Sequence, residues 1–235
     1  MTPPTLYKFL DAENRSTHGG RGKWTPGRWR SVRGPLVPCQ NGLHPCREQD
    51  LVKWLAPALW EVETDGENIE PSDKVVARRA RIVRRVKTWN DRTARLFAAD
   101  CAEHVLPLFE AERPNDDRPR KAIEAARRFA NGEATQEERA AAGAAAEAAA
   151  RAAAEAAAGT AAWDAAQAAA RAAAWTAKRT AAGTAARAAA GAAAGTAAQA
   201  AAGTAAGTAA EAAARDAERE WQTARLTWYL AGEGA

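Results

Sequence analysis

Alanine supplies most of the 47% hydrophobic fraction of this 235-residue chain, and the larger apolar residues lie mainly before residue 130, so only that part can bury an ordinary core. The formal net charge of +4 is too small to indicate nucleic-acid binding unless the basic residues cluster. The odd number of cysteines, three, argues against a disulfide framework, and no basic segment followed by an apolar run indicates a signal peptide, so we expect a cytoplasmic protein.

Residues 1–88 carry the pattern of a small α+β module, which begins with two short strands. Apolar residues predict strands at 6–10 and 29–32, and the intervening stretch is rich in Gly and Arg, as in a loop. The Asn41-Gly42 pair then predicts a tight turn.

The second half of the module is predicted as a helix followed by two strands. Residues 47–56 have the spacing of a short amphipathic helix, which a proline ends. Residues 59–63 alternate like a strand that runs to a turn at Asp65-Gly66. Residues 74–89 alternate again, and four apolar positions of that strand are expected to face inward. They are Val76, Ala80, Ile82 and Val86.

Cys39, His44 and Cys46 are candidate metal ligands, because thiolate and imidazole groups bind tetrahedral zinc. Their Cys-x4-His-x-Cys spacing differs from the Cys-x2-Cys pairs of common zinc sites, and Cys101 and His104 lie in a different segment. The alternative is that the cysteines pack as small apolar residues beside a turn and His44 bonds the backbone. We therefore expect no cofactor, with zinc as the alternative.

Three segments together resemble a small uncharacterised domain of phage and actinobacterial proteins. They are Tyr7-Lys8-Phe9, Cys39-Gln40-Asn41-Gly42-Leu43-His44-Pro45-Cys46 and Leu59-Trp60-Glu61-Val62-Glu63. Its core motif is C-x2-G-[LF]-H-x-C, and the resemblance covers about residues 5–88. It implies no known activity. The same order of turn, helix and strand also resembles small ADP-ribosyltransferase-like folds, which would imply an enzyme with a nicotinamide cleft beside Tyr7 and His44.

A basic cluster follows, and it is the candidate nucleic-acid surface of the chain. Its members are Arg78, Arg79, Arg81, Arg84 and Arg85. An acidic run over residues 61–73 precedes the cluster directly and can neutralise it, so we expect no nucleic-acid partner and keep this function as an alternative.

Residues 89–135 change to helical spacing. Asn90 or Asp91 is the predicted N-cap of a first helix, in which Pro107 is expected to cause a kink or an interruption. Asp117 is the predicted N-cap of a second helix, and Asn131-Gly132 has the composition of a left-handed C-cap.

This helical segment is similar to a domain of immunity proteins from bacterial polymorphic-toxin systems. The residues that carry the resemblance are Ala98 to His104 and the string Asp116-Asp117-Arg118-Pro119-Arg120-Lys121-Ala122-Ile123-Glu124-Ala125. The resemblance implies a protein that binds a partner, such as a toxin, and makes Asp116, Asp117, Arg118 and Arg120 candidate binding residues. The alternative is that these residues only build the helix cap and an ion pair between two helices.

An alanine-rich tract at 136–223 is built on a four-residue period. Every fourth residue of 139–219 differs from alanine, whereas the residue two positions later is alanine after each of them except Arg219, the last. Four residues turn an α-helix by about 400°, so the repeat gives no fixed face. The tract is therefore one long helix, several broken helices or a solenoid, serving as a spacer or as an element of self-association.

Two further expectations concern the end of the chain. Residues 183–210 carry one charge, but they consist of small residues rather than Leu, Ile or Phe, so we expect no membrane span. Residues 224–235 are predicted to end the last helix. Four apolar residues are expected to dock that helix onto the earlier helical domain: Trp221, Leu226, Tyr229 and Leu230.

Together these patterns predict an α+β protein in which a small N-terminal module is followed by a mainly helical region. We expect a non-catalytic, protein-binding function in toxin immunity or as a phage accessory protein. An ADP-ribosyltransferase-like enzyme and a nucleic-acid-binding protein are the alternatives.

Overall fold

A computed structural model of the chain describes residues 5–17, 20, 22–71, 73–155 and 207–234. Within these residues an antiparallel sheet comes first and four α-helices follow it, which confirms the predicted α+β class. Most of the alanine-rich tract lies outside the described residues. The choice among one long helix, several broken helices and a solenoid therefore stays a prediction. The described start of the tract is α-helical from Gln136 to Glu155.

The sheet has four strands in the order β1-β3-β4-β2, and every neighbouring pair is antiparallel. The strands are β1 (Leu6–Leu10), β2 (Arg30–Ser31), β3 (Ala58–Ile69) and β4 (Val76–Arg85). The bounds of β1 are those that the alternation predicts. Val76, Ala80 and Ile82 are fully buried and Val86 is partly buried, as expected for inward positions.

Two local predictions in this module are wrong. The strand does not end at Asp65-Gly66: β3 continues to Ile69, and its pairing with β4 shifts register between Asp65 and Asn68. Gly66 has a φ of +76°, and this left-handed conformation lets β3 accommodate a bulge. The segment at 47–56 forms a short 3₁₀-helix, Glu48–Lys53, instead of an α-helix. Pro57 restricts the residue before it, and helical segments this short commonly take the 3₁₀ pattern.

The helices are α1 (Asp91–Glu112), α2 (Arg118–Ala130), α3 (Gln136–Glu155) and α4 (Gly207–Leu230). Asn90 is the N-cap of α1, and it forms a reciprocal capping box with Thr93. Pro107 does not interrupt α1. Val105, Leu106 and Phe109 are buried on both sides of the proline, and their packing holds the helix together despite the lost hydrogen bond.

The C-terminus of α2 confirms the predicted left-handed cap. Gly132 has a φ of +77°. The amide of Glu133 donates to the carbonyl of Arg128 (2.8 Å), and the amide of Gly132 donates to that of Phe129 (3.1 Å). These two bonds satisfy carbonyl groups that the end of a helix would otherwise leave without partners.

One hydrophobic core joins the sheet to the helices, and Trp89 lies at its centre with 1% exposure. Its ring packs edge-on against Phe9 of β1 (5.6 Å between centroids) and Phe97 of α1 (6.2 Å). Leu226 and Tyr229 bury the end of α4 in the same core, which confirms the predicted docking of this helix. The helix α4 also runs without a break across residue 223, where the sequence suggested a boundary.

Gly42 permits a close approach between the turn before the 3₁₀-helix and β4. Its φ is +155°, and a Cβ atom there would overlap Cγ1 of Val76. We expect Gly42→Ala to lower the free energy of unfolding by about 2–3 kcal/mol in urea titrations. Gly27→Ala is the control, because Gly27 also has positive φ (+76°) but open space around it, and it should cost about 1 kcal/mol. Equal losses in the two variants would contradict the steric argument.

Candidate functional site

The candidate binding residues lie on the connection between α1 and α2. Asp116 accepts hydrogen bonds from the Arg118 amide (3.2 Å) and from Nε of its guanidinium (2.7 Å). The hydrogen bond from the Arg118 guanidinium lowers the pKa of Asp116, so its carboxylate stays charged at neutral pH. Asp117 occupies the N-cap position of α2, but its side chain makes no capping hydrogen bond. Instead it pairs with Lys121 at 2.8 Å.

Arg120 links the two helices, because its Nε donates to Oε1 of Glu110 on α1 at 2.9 Å. These residues therefore do build the turn and an ion pair between helices, as the structural interpretation expects. They also face solvent: the side chains of Asp117 and Lys121 are 61% and 66% exposed. The connection presents charges of both signs in fixed positions.

A buried charge network locks α4 to α1 and α2, and its centre is Asp100, which is 4% exposed. Oδ2 of Asp100 accepts hydrogen bonds from Arg225 Nε (2.5 Å) and the Tyr229 hydroxyl (2.7 Å). Arg127 of α2 forms an ion pair with Oδ1 at 2.6 Å. Burial and the Asp100 carboxylate raise the pKa of Tyr229, so its hydroxyl remains a donor.

A second polar contact between α1 and α4 lies one helical turn further along. His104 stacks flat on Trp221, with 3.8 Å between ring centroids, and its Nδ1 lies 2.7 Å from Oε2 of Glu218. Oε1 of Glu218 accepts a hydrogen bond from the buried Gln222 amide (2.8 Å). The sequence does not indicate this role of His104, because its stacking partner lies more than a hundred residues away.

Cys39, His44 and Cys46 share one turn but make the contacts of a folded loop. The Cys39 amide donates to Nε2 of His44 (3.1 Å), and Cys46 is buried with its Sγ 3.5 Å from the Tyr7 carbonyl oxygen. Burial raises the pKa of Cys46 to about 12, so this thiol stays protonated at neutral pH. Within the described part of the chain, no group of three or more Cys, His, Asp or Glu residues could hold a metal ion.

Four of the five arginines in the basic cluster form ion pairs with carboxylates of β3. The pairs are Arg78–Glu67, Arg79–Asp65, Arg81–Glu63 and Arg84–Glu61. The register of the β3–β4 ladder places Asp65 opposite Arg79 and Glu63 opposite Arg81. Most positive charge of the cluster is therefore matched within the sheet, which leaves little to attract a phosphate backbone.

An ADP-ribosyltransferase-like enzyme would need a nicotinamide cleft beside Tyr7 and His44, and the structure contains only part of such a cleft. A cavity does border His44, but Tyr7 is not among the residues that line it. Burial, Glu48 and Glu61 raise the pKa of Tyr7, so its hydroxyl stays protonated at neutral pH. The structure therefore does not bring Tyr7 and His44 together in one pocket.

Comparison with known families decides the identity of the helical region. The family described as "Imm-5 like putative immunity protein" matches residues 84–228, which is more than half of the chain. The chain belongs to this family. The Imm-5 like match includes α1, α2 and the part of α4 that contributes Arg225 to the Asp100 network.

A domain of unknown function (DUF7666) matches residues 5–92, which contain the sheet and the 3₁₀-helix. No curated protein and no solved structure matches the chain. None of the described helices combines the length and apolar composition that a membrane crossing requires.

Proposed function

We propose that the chain is an immunity protein that neutralises a protein toxin by binding it without catalysis, using the α1–α2 connection. Membership of the Imm-5 like family carries this proposal. The connection lies inside the matched residues, and its neighbours Arg113, Asp116 and Arg118 line a shallow surface depression.

The ion pairs of the connection favour recognition of a protein. Asp116–Arg118 and Arg120–Glu110 hold their side chains in place before a partner arrives, which reduces the entropy lost on binding. Charges of both signs within one small surface select a partner whose charges have the complementary arrangement. The Asp100 network supports this surface, because Arg127 anchors α2 to α1 from the buried side.

We also propose that the alanine-rich tract is an element of self-association rather than a spacer between domains. Its two described ends belong to one helical body. Ala142 of α3 packs against Ala122 and Ala126 of α2, and Leu226 of α4 lies in the shared core. A segment that leaves and rejoins the same body does not separate two binding modules. The oligomeric state of the full chain, measured by light scattering, tests this proposal; a monomer at every concentration would contradict it.

Charge reversal tests the toxin-binding surface. We expect the double variant Asp117→Lys with Arg120→Glu to weaken binding to a toxin that the unchanged protein neutralises by at least about tenfold, because each new charge meets a like charge on the partner. The melting temperature should change little, since both side chains are on the surface. Growth of cells that co-express the toxin, together with the dissociation constant of the purified pair, measures the effect.

Arg28→Glu is the matched control, because Arg28 is exposed on the loop before β2, outside the Imm-5 like match. It should protect cells as well as the unchanged protein does. Full protection by the double variant would show that the toxin binds elsewhere on the chain.

A further inference from the structure

The N-terminal module contains a cavity of about 520 Å³ that the immunity function does not use. Residues of β1, β2, the turn after residue 38 and the segment before β4 line it. Cavities of this size hold small molecules in other proteins. Its walls contain three cationic side chains, Lys8, Arg30 and Lys74, and the lining that the structure describes includes no Asp or Glu.

Lys8 is an unusual feature of this cavity because its side chain is partly buried and pairs with no carboxylate among the described residues. Its Nζ donates to the His44 carbonyl (2.8 Å) and lies 5.3 Å from the Trp24 ring. No ion pair of Lys8 forms within the described residues. A buried cation without a counter-charge is unfavourable, so the fold keeps it only where another interaction compensates.

Arg30 brings a second positive charge to the same place. Its guanidinium stacks on Trp24, 4.6 Å from the ring centre, so Lys8 and Arg30 share one aromatic side chain. Trp24 is 2% exposed and is fixed by a hydrogen bond from Nε1 to Ser16 Oγ (2.9 Å). The two cations are thus held close together by a rigid ring, despite their mutual repulsion.

The remaining polar groups of the cavity are neutral or positively charged. Because Nε2 of His44 accepts a hydrogen bond, the neutral imidazole carries its proton on Nδ1 and can donate it. Burial, Lys8 and Lys74 lower the pKa of His44, so it is neutral at pH 7. Lys74 at the rim is partly neutralised by Asp73 at 3.2 Å. Lys8 and Arg30 therefore both contribute positive charge to the cavity wall.

We propose that this cavity binds a small molecule that carries a phosphate group. A phosphate monoester has a charge of about −1.5 to −2 at neutral pH, so the positively charged side chains of Lys8 and Arg30 attract it. Its oxygens accept hydrogen bonds from an ammonium and a guanidinium at once, as such groups do in phosphate sites. The site lies outside the Imm-5 like match and does not depend on the toxin-binding proposal.

Calorimetric titration of the full chain with AMP, inorganic phosphate and adenosine tests the site. AMP and phosphate are expected to bind, and adenosine is not. Binding of AMP alone would identify an organic phosphate as the ligand, whereas equal binding of both would show that the phosphate group suffices. Binding of adenosine as tightly as AMP, or no binding of any probe at millimolar concentration, would overturn the proposal.

Lys8→Met removes the charge but keeps a side chain of similar length. We expect it to weaken AMP binding by about tenfold to hundredfold, because a hydrogen bond to a charged group is lost. The melting temperature should not fall, since a buried unpaired cation is removed. Lys87→Met is the matched control, because Lys87 is exposed in the turn before α1 and does not line the cavity. Unchanged AMP affinity in Lys8→Met would contradict the proposed site.

The pH dependence of AMP affinity distinguishes a phosphate-binding role of Lys8 from a purely structural one. Burial lowers the pKa of Lys8 to about 8, so the ammonium loses its proton as the pH rises through that value. AMP affinity should therefore fall by about tenfold or more between about pH 7 and about pH 9.5, and Lys8→Met should remove this dependence. The other groups around Lys8 are Arg30, His44, Cys46 and Lys74. A profile that is the same in both proteins would rule out Lys8 as the phosphate ligand.

Discussion

Trp89→Ala should lower the free energy of unfolding by about 3–5 kcal/mol, which is the largest loss expected from any single substitution considered for this protein. The indole ring lies in the core between β1 and α1, and its Nε1 donates to the Ala56 carbonyl (2.8 Å). Removing the ring leaves a cavity between the sheet and the helices and a carbonyl without its partner. Urea denaturation followed by circular dichroism and by tryptophan fluorescence measures the loss.

Trp29→Ala is the control for this substitution. Trp29 is half-buried outside the shared core and stacks with Arg79 and Arg81, so its loss should cost about 1 kcal/mol. Because Trp89 belongs to a core that the sheet and the helices share, both spectroscopic signals should shift together. A variant in which the helices keep their original midpoint while the tryptophan signal shifts would show that the two parts unfold independently.

Features encoded by neighbouring residues could be predicted from the sequence. The strand at 6–10, the Asn90 cap of α1 and the Gly132 cap of α2 each depend on residues within one turn or one strand. The ion pairs between β3 and β4 also follow from the pattern. Acidic and basic residues alternate on two strands that are adjacent in sequence, so an antiparallel ladder places them side by side.

The Asp100 network could not be predicted in this way. Arg225 and Tyr229 are separated from Asp100 by 125 and 129 residues, and the alanine-rich tract lies between them. The spacing of residues along the chain does not indicate which carboxylate of α1 will pair with a distant arginine. One local signal was present: Asp100 stands between Ala99 and Cys101, which are both buried, so it interrupts an otherwise apolar stretch of the helix.

The central position of Trp89 in the core could not be predicted from the sequence either. The sequence places it at the end of an alternating strand, beside a basic cluster. Its burial depends on Phe9 and Phe97, which come from the first strand and the first helix. The Lys8 cavity has a similar origin, since its cations belong to β1, β2 and the segment before β4. Only the sheet order brings them together.

Asp100→Ala should lower the free energy of unfolding by about 3–4 kcal/mol, because it leaves Arg127, Arg225 and the Tyr229 hydroxyl without their shared acceptor. The loss stays below that of Trp89→Ala because both arginines are about one-third exposed and water can solvate them again. Since Asp100 is the point at which α4 joins α1 and α2, hydrogen exchange should increase most in residues 219–230 of α4. Urea titration and exchange measurements on the full chain test both effects.

The variant Glu103→Gln tests whether the buried and the exposed ion pairs of Arg127 contribute differently to stability. Glu103 pairs with the same Arg127, but its side chain is 53% exposed whereas that of Asp100 is 4% exposed. An exposed ion pair contributes less than about 1 kcal/mol, so this variant should unfold almost like the unchanged protein. Equal losses for Asp100→Ala and Glu103→Gln would mean that burial is not what makes the network stabilising. A large loss for Asp100→Ala alone would identify the buried carboxylate as the group that holds α4 against α1 and α2.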